Sequence, residues 1–214
     1  VIQGDKDVAQ ELLAQRWNYV FFTGSVKVGK IVAEACAKHL TPKTLELGGK
    51  NPCIIHKSAN IKVTAKRLVW GKFFNAGQTC IAPDYLLVDS AIKSKLVEAL
   101  RKEITTFFGE NPQDSPDFAR ISHQGNYERL NEILLDSDII VGGETNDDDH
   151  YIAPTLIDEP SLSSKAMETE IFGPILPIIS YSNENEIDAY VNHYEKPLSL
   201  YVFTNDKKFR DNIL

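Results

Sequence analysis

Tyr19-Val-Phe-Phe22-Thr-Gly-Ser25, answered by Thr44-Leu-Glu-Leu47-Gly-Gly49, decides the fold. Each stretch is a short apolar run rich in β-forming residues and closed by glycine, the pattern of a buried strand. Between them Ser25 opens a helix with Val28, Val32, Ala35 and Cys36 on its inward face, ending near Leu40, and Pro42 punctuates it. Strand, helix and strand in so short a span make a βαβ unit, so a parallel sheet in an α/β protein is expected.

The pattern continues outward. Asp5 or Asp7 starts an earlier helix carrying Val8, Leu12 and Leu13. Downstream, Pro52–Ile55 reads as a strand, and Asn60 caps a helix to about Phe74. Tyr85–Val88 is the next strand. Ser90 caps an amphipathic helix with Ile92, Leu96, Leu100, Ile104 and Phe107 on one face. Gly109–Ser122 reads as a loop, Tyr127–Leu135 as a helix and Asp138–Val141 as a strand turned by Gly142-Gly143. Asp147–Asp149 reads as a solvated acidic loop tip. Pro177–Ser180 and Leu198–Phe203 are strands flanking a helix near Glu184–His193. A border falls near Gly48–Asn51, dividing the chain into residues 1–49 and 50–214.

The 214 residues are 43% hydrophobic and 25% charged, the composition of a globular protein with a packed core. The formal net charge of −7, without a basic tract, argues against nucleic acid as a partner. Three cysteines without paired spacing read as reduced thiols and point to an intracellular compartment. No apolar stretch is long enough to span a bilayer. The five histidines show no ligand spacing, so no metal site is expected. The chain opens on Val1 and has one methionine, Met167, so it is expected to be the central piece of a longer protein.

Four segments carry chemistry. Cys80 stands in Asn75-Ala-Gly-Gln-Thr-Cys80-Ile-Ala-Pro83, a Gly- and Pro-bounded turn with small and polar neighbours. A cysteine thiol ordinarily titrates near about 8.5, so an attacking thiol needs a base or an N–H-rich turn beside it. Cys36 and Cys53 sit in apolar surroundings and read as core residues. Glu46 alternates with Leu45 and Leu47, which places it on the opposite strand face beside the room left by Gly48-Gly49. It reads either as a solvent-facing carboxylate or as a general base at a strand end. Phe22-Thr-Gly24-Ser25-Val-Lys-Val-Gly29-Lys30 takes a strand into a helix N-terminus, where free N–H groups favour an anion. A capped helix with no ligand explains that segment equally well. It also fits part of an NTPase phosphate loop, but Ile31 stands where a Mg²⁺-binding hydroxyl is required. Glu170-Ile-Phe172-Gly-Pro174 sets a carboxylate and an aromatic before a Gly-Pro turn and, taken alone, reads as a loop entering a strand.

Taken together in chain order, Phe22-Thr-Gly-Ser25, Glu46-Leu-Gly-Gly-Lys50, Gly77-Gln-Thr-Cys80 and Glu170-Ile-Phe-Gly-Pro174 resemble the aldehyde dehydrogenase superfamily. Asp84-Tyr85, Tyr151-Ile-Ala-Pro-Thr155 and Lys196-Pro-Leu-Ser-Leu-Tyr-Val-Phe203 are closest to its class 3, or fatty aldehyde, branch. The resemblance covers nearly the whole chain. It implies a Rossmann-like partial cofactor domain over 1–49 and an α/β catalytic domain over 50–214. Cys80 would attack the aldehyde, forming a thiohemiacetal and, after hydride transfer, a thioester. Glu46 would activate the hydrolytic water, and the Cys80 N–H would help hold the oxyanion. Thr23, Gly24, Ser25, Val28 and Gly29 would line the pyrophosphate and adenine of NAD or NADP. Leu47 and Gly48 would lie near the nicotinamide, Glu170 would bind a ribose hydroxyl, and Phe172 would pack by the nicotinamide. Val26 departs from a threonine common in the glycine loop. The resemblance further implies a small-molecule aldehyde, a homodimer when full-length, and membrane association through segments not present here. The expected location is the cytoplasm or the cytosolic face of an organelle membrane. A different class of reading is a non-catalytic fragment or binding module with an incomplete cofactor site.

Overall fold

The computed structural model describes residues 1–214. They form two compact units, Val1–Gly49 and Lys50–Leu214.

The first unit contains helix α1 (Lys6–Leu13), strand β1 (Val20–Gly24), helix α2 (Val26–Lys38) and strand β2 (Lys43–Leu47). Asp5 caps α1 through the Asp7 and Val8 N–H groups. Strands β1 and β2 pair in parallel, the arrangement expected of the βαβ unit, with Thr23 beside Glu46 and Gly24 beside Leu47. Val32 and Cys36 are buried on α2, whereas Val28 is 41% exposed, so the inward face is narrower than the periodicity predicts. Gly29 is buried because α2 crosses β2 there. A Cβ at that position would lie 2.7 Å from Leu47 Cδ2.

The second unit is a three-layer α/β sandwich. Its strands are β3 (Pro52–Ile55), β4 (Tyr85–Asp89), β5 (Ile139–Val141), β6 (Thr145–Asn146), β7 (Tyr151–Ile152), β8 (Thr155–Asp158), β9 (Ile175–Tyr181) and β10 (Tyr201–Phe203). Six of them form one sheet in the order β10-β3-β4-β9-β8-β5, parallel except for the β5–β8 pair. The helices are α3 (Ile61–Phe73), α4 (Lys93–Phe108), α5 (Gln124–Leu135), α6 (Lys165–Glu168), α7 (Asn185–Asn192) and α8 (Lys207–Ile213). Cys53, Ile55, Leu86 and Val88 face a core shared with Leu68, Phe73, Leu96 and Leu100 of α3 and α4. Ile54 and Leu87 face the other way, toward Ile187 of α7 and Phe209 of α8. Burial on both faces explains why these strands are continuous apolar runs.

Several local expectations are corrected. Ile92, not Ser90, precedes α4, and its side chain makes no cap; Phe108 takes the buried position expected of Phe107. The acidic run is the tip of the β6–β7 hairpin. Asp147 accepts from Tyr127 Oη at 2.6 Å and Asp149 from Arg120 Nε at 2.7 Å, so two of the three carboxylates have partners. Strand β10 is shorter than Leu198–Phe203, and β6 and β7 were not found by periodicity because two-residue strands show none. No helix is long and apolar enough to cross a membrane.

The topology fixes where the second unit's chemistry collects. Strands β3, β4, β9 and β10 are parallel neighbours, so the segments that enter them meet at one edge of the sheet. Those segments are Lys50-Asn51, Cys80–Asp84, Glu170–Pro174 and Lys196–Leu200.

Candidate active site

In the first unit the candidate residues gather at the carboxyl ends of β1 and β2, the usual ligand side of a parallel sheet. Ser25 caps α2 by accepting the Val28 N–H at 3.3 Å, and its carbonyl takes the Gly29 N–H at 2.8 Å. The Val26 and Lys27 N–H groups have no protein acceptor and sit at the positive end of a 13-residue helix. This donor set fits a nucleotide's pyrophosphate. Gly24 and exposed Thr23 stand at the mouth of that turn. Gly29 is committed to packing on Leu47 and presents no surface of its own. Glu46 is exposed while Leu45 and Leu47 are half-buried, as strand alternation requires, and Gly48 beyond it is buried.

In the second unit the site is built at the amino edge of the sheet, opposite to the usual side. Helix α3 ends at Phe73, and the chain turns through Asn75, Ala76 and Gly77 at φ 53°, 50° and 72°. Left-handed backbone at two consecutive non-glycine residues is sterically costly and persists only where packing enforces it. Gly77 shows the enforcement: a Cβ there would collide with the Gly173 carbonyl. The cysteine loop and the Glu170–Gly173 loop are thereby in backbone contact.

Gln78 secures the loop from the other side. Its Nε2 donates to the Asn75 carbonyl at 3.1 Å and the Arg120 carbonyl at 3.0 Å, and its Oε1 accepts from the Ser122 N–H at 3.0 Å. Ala82 N–H bonds the Thr79 carbonyl at 2.9 Å, closing a four-residue turn with Cys80 and Ile81 at its centre. Asn51 Nδ2 donates to the Cys80 and Ala82 carbonyls, and Tyr201 Oη to the Ile81 carbonyl. The N–H groups of Thr79, Cys80 and Ile81 meet no protein acceptor. Every carbonyl of the turn is therefore held by the protein, and its donors stay available to an anionic oxygen. Cys80 itself is half-exposed, whereas Cys36 and Cys53 are buried. Burial raises the Cys53 thiol far above its ordinary range and keeps it inert.

Glu170 and Phe172 lie on a clamped loop. Asp84 Oδ1 accepts the Ile171 N–H at 2.9 Å, Arg129 donates to the Glu170 and Ile171 carbonyls, and Asn126 Nδ2 reaches the Phe172 carbonyl at 3.0 Å. Phe172 is held at φ 49° and is 39% exposed. Asp84 is also ion-paired with Lys50, both nearly buried, and Lys50 Nζ donates to the Ala166 carbonyl at 2.7 Å. Breaking such a buried pair by removing one partner costs about 3–5 kcal/mol, so it fixes the entry to β3 and β4 together. Lys72 lies behind this cluster, wholly buried. Burial pulls its ammonium down to about 8, against the opposing charges of Asp84 and Glu170.

Asn51, Gln78, Asp84, Asn126 and Arg129 were given no role by sequence reading, although Asp84 and Gln78 lie in the quoted motifs. Asn51 and Asp84 interrupt apolar surroundings beside Pro52 and Tyr85, the one local signal that they are buried for a reason. A separate surface pocket lined by Asp136–Asp138, Asp158–Ser161 and Ser163-Ser164 shares no residue with either group. No cluster of His, Cys, Asp or Glu is arranged to hold a metal.

Comparisons with known proteins identify the family of the chain. A model of the aldehyde dehydrogenase family matches residues 1–213. The chain is 48% identical over 212 residues to aldehyde dehydrogenase family 3 comG of Dictyostelium discoideum, covering 99% of this chain and 45% of that protein. It superposes on the substrate-bound AldH of Staphylococcus aureus with a TM-score of 0.97 at 45% identity, covering 99% of this chain and 47% of that one. It superposes on an NADP-dependent glyceraldehyde-3-phosphate dehydrogenase from Bacillus halodurans complexed with NADP with a TM-score of 0.90 at 26% identity, covering 99% and 45%. The chain thus spans less than half the length of these relatives. The chain belongs to the aldehyde dehydrogenase family.

Proposed function

We propose that the protein of which these residues form part oxidises an aldehyde to the carboxylic acid through a covalent intermediate on Cys80. The Cys80 turn carries the reading: a half-exposed thiol whose neighbouring carbonyls are all held and whose N–H groups are not. The Cys80 sulfur attacks the aldehyde carbon, the S–C bond forms, and the carbonyl π electrons move to oxygen. The Cys80 N–H donates to that oxyanion, the group that gains charge in the step. When bound, NAD or NADP would supply the hydride acceptor: the oxyanion re-forms the C=O bond, the C–H bond of the former aldehyde carbon breaks, and a thioester is left on Cys80. Glu46 then takes a proton from water, the water oxygen attacks the thioester carbon, and the C–S bond breaks to release acid and thiolate.

The α2 N-terminus with Thr23, Gly24, Ser25 and Val28 would hold the pyrophosphate and adenine side of the nucleotide. Gly29 seats α2 on Leu47, and Leu47 and Gly48 would serve the nicotinamide side. Glu170 would bind a ribose hydroxyl, and Phe172 would pack by the nicotinamide. The resemblance of Asp84-Tyr85, Tyr151–Thr155 and Lys196–Phe203 to the class 3, or fatty aldehyde, branch supports a medium- or long-chain fatty aldehyde as substrate. Three free thiols fit an intracellular location. The full-length protein is proposed to be a homodimer, with any membrane attachment made by other segments.

Cys80→Ala in the full-length protein is expected to abolish NAD(P)-dependent aldehyde oxidation, a loss of at least about 10⁴-fold. Steady turnover in that variant refutes the assignment.

A further inference from the structure

We propose that Asn51 is the positioning residue of the Cys80 turn, setting which way its peptide groups face. The inference rests on the reading of Cys80 as the nucleophile. Asn51 is completely buried at the entry to β3. Pro52 follows it and restricts its backbone to extended conformations, so the base of the side chain is fixed. β3 lies between β4 and β10, which brings Asn51 between the segments leading into both.

Both polar atoms of the side chain are engaged. Both Nδ2 hydrogens go to the cysteine turn, one to the Cys80 carbonyl at 2.8 Å and one to the Ala82 carbonyl at 3.1 Å. Oδ1 accepts the Ser199 N–H at 2.9 Å, tying the turn to the segment before β10. The Asn51 main-chain carbonyl takes the Asp84 N–H at 2.9 Å, just beyond the turn.

The consequence follows from peptide planarity. A carbonyl and the next residue's N–H point in opposite directions, so pinning the Cys80 carbonyl inward turns the Ile81 N–H outward. Pinning the Ala82 carbonyl steadies the residue whose N–H closes the turn on Thr79. That closure pulls the Thr79 carbonyl inward and turns the Cys80 N–H outward. Asn51 touches neither substrate nor thiol and acts only through the direction of these dipoles. Its removal therefore weakens oxyanion stabilisation while leaving the thiol in place.

The test is made in the full-length enzyme with Asn51→Ala and the gentler Asn51→Ser, which retains one donor. The expected result is a fall in kcat of about 10–100-fold for Asn51→Ala, less than the roughly 10²–10³-fold of a lost oxyanion donor because the donor is misaligned and not removed, and a smaller fall for Asn51→Ser. KM for the cofactor should stay within about twofold. Alkylation of Cys80 by iodoacetamide, which builds no oxyanion, should change by less than about threefold. Asn51→Asp supplies a pH signature. Its carboxylate faces two carbonyl oxygens, and only the protonated form can donate to one of them. Its kcat relative to wild type should rise as pH falls. Wild-type kcat in Asn51→Ala overturns the proposal, as does an equal loss of alkylation and oxidation, which would mark general disorder of the loop. A Cys80→Ala enzyme that still turns over refutes the nucleophile assignment itself. An inactive Cys80→Ala beside a fully active Asn51→Ala refutes only the role of Asn51.

Discussion

Three cysteines of one chain occupy three different environments, and burial separates them. Cys53 lies inside β3 with its thiol driven upward by desolvation, Cys36 lies on the inner face of α2, and Cys80 stands half-exposed on a turn with unspent N–H groups. Iodoacetamide should label Cys80 at least about tenfold faster than either of the others, because alkylation follows exposure and thiolate fraction. Peptide mapping after a timed exposure of the folded protein reads this directly; equal labelling of Cys53 and Cys80 contradicts it. The contrast was legible in the sequence, since Cys36 and Cys53 have apolar neighbours and Cys80 has Gly, Gln, Thr and Pro. The orientation of the turn was not legible. It depends on Asn51 and Tyr201, which are brought to it only by the pairing of β3 with β4 and β10.

At the scale of elements, the loop before β9 is held by side chains from α5 and from the entry to β4. Arg129 takes the Glu170 and Ile171 carbonyls, Asn126 the Phe172 carbonyl and Asp84 the Ile171 N–H. These bonds fix Phe172 in a left-handed conformation that an aromatic residue seldom adopts. Arg129→Gln removes the guanidinium fork and should raise the cofactor KM by about tenfold, the equivalent of one hydrogen bond of ~1.4 kcal/mol. Cys80 labelling should not change. A KM unaltered by the substitution, measured by initial rates in the full-length enzyme, shows that the clamp does not position the loop. The strands themselves were readable from their apolar runs, and the helices from capping residues such as Asp5, Ser25 and Asn60. The β6–β7 hairpin and the start of α4 were not. The hairpin strands are too short for periodicity, and Ser90 lost the capping role to a turn in which Asp89 accepts the Ala91 N–H.

At the scale of the whole molecule, charge buried behind the site should set part of its response to pH. Lys72 is fully enclosed, and desolvation lowers its ammonium from 10.5 to about 8. The unfolded chain then binds more protons than the folded one across that interval, so stability rises with pH between about 8 and 10.5. The penalty is fully present below about 8 and is relieved above the unfolded value. The difference in unfolding free energy between wild type and Lys72→Met should therefore shift in favour of the wild type as pH is raised through this window. Urea titrations at fixed pH values check it, and a constant difference contradicts it.

The parallel βαβ opening was visible from glycines and apolar runs alone. The placement of the second unit's site at the amino edge of its sheet was not, because strand order is a long-range property. The proposed chemistry is tested most directly by trapping its covalent intermediate. Full-length Glu46→Gln enzyme, mixed with aldehyde and NAD⁺ and quenched in acid, should show a burst of NADH. It should also carry one acyl group per chain, which peptide mass spectrometry locates on Cys80. An acyl group on another residue, or full aldehyde oxidation with no adduct and no burst, contradicts covalent catalysis by Cys80 with Glu46 as its deacylating base.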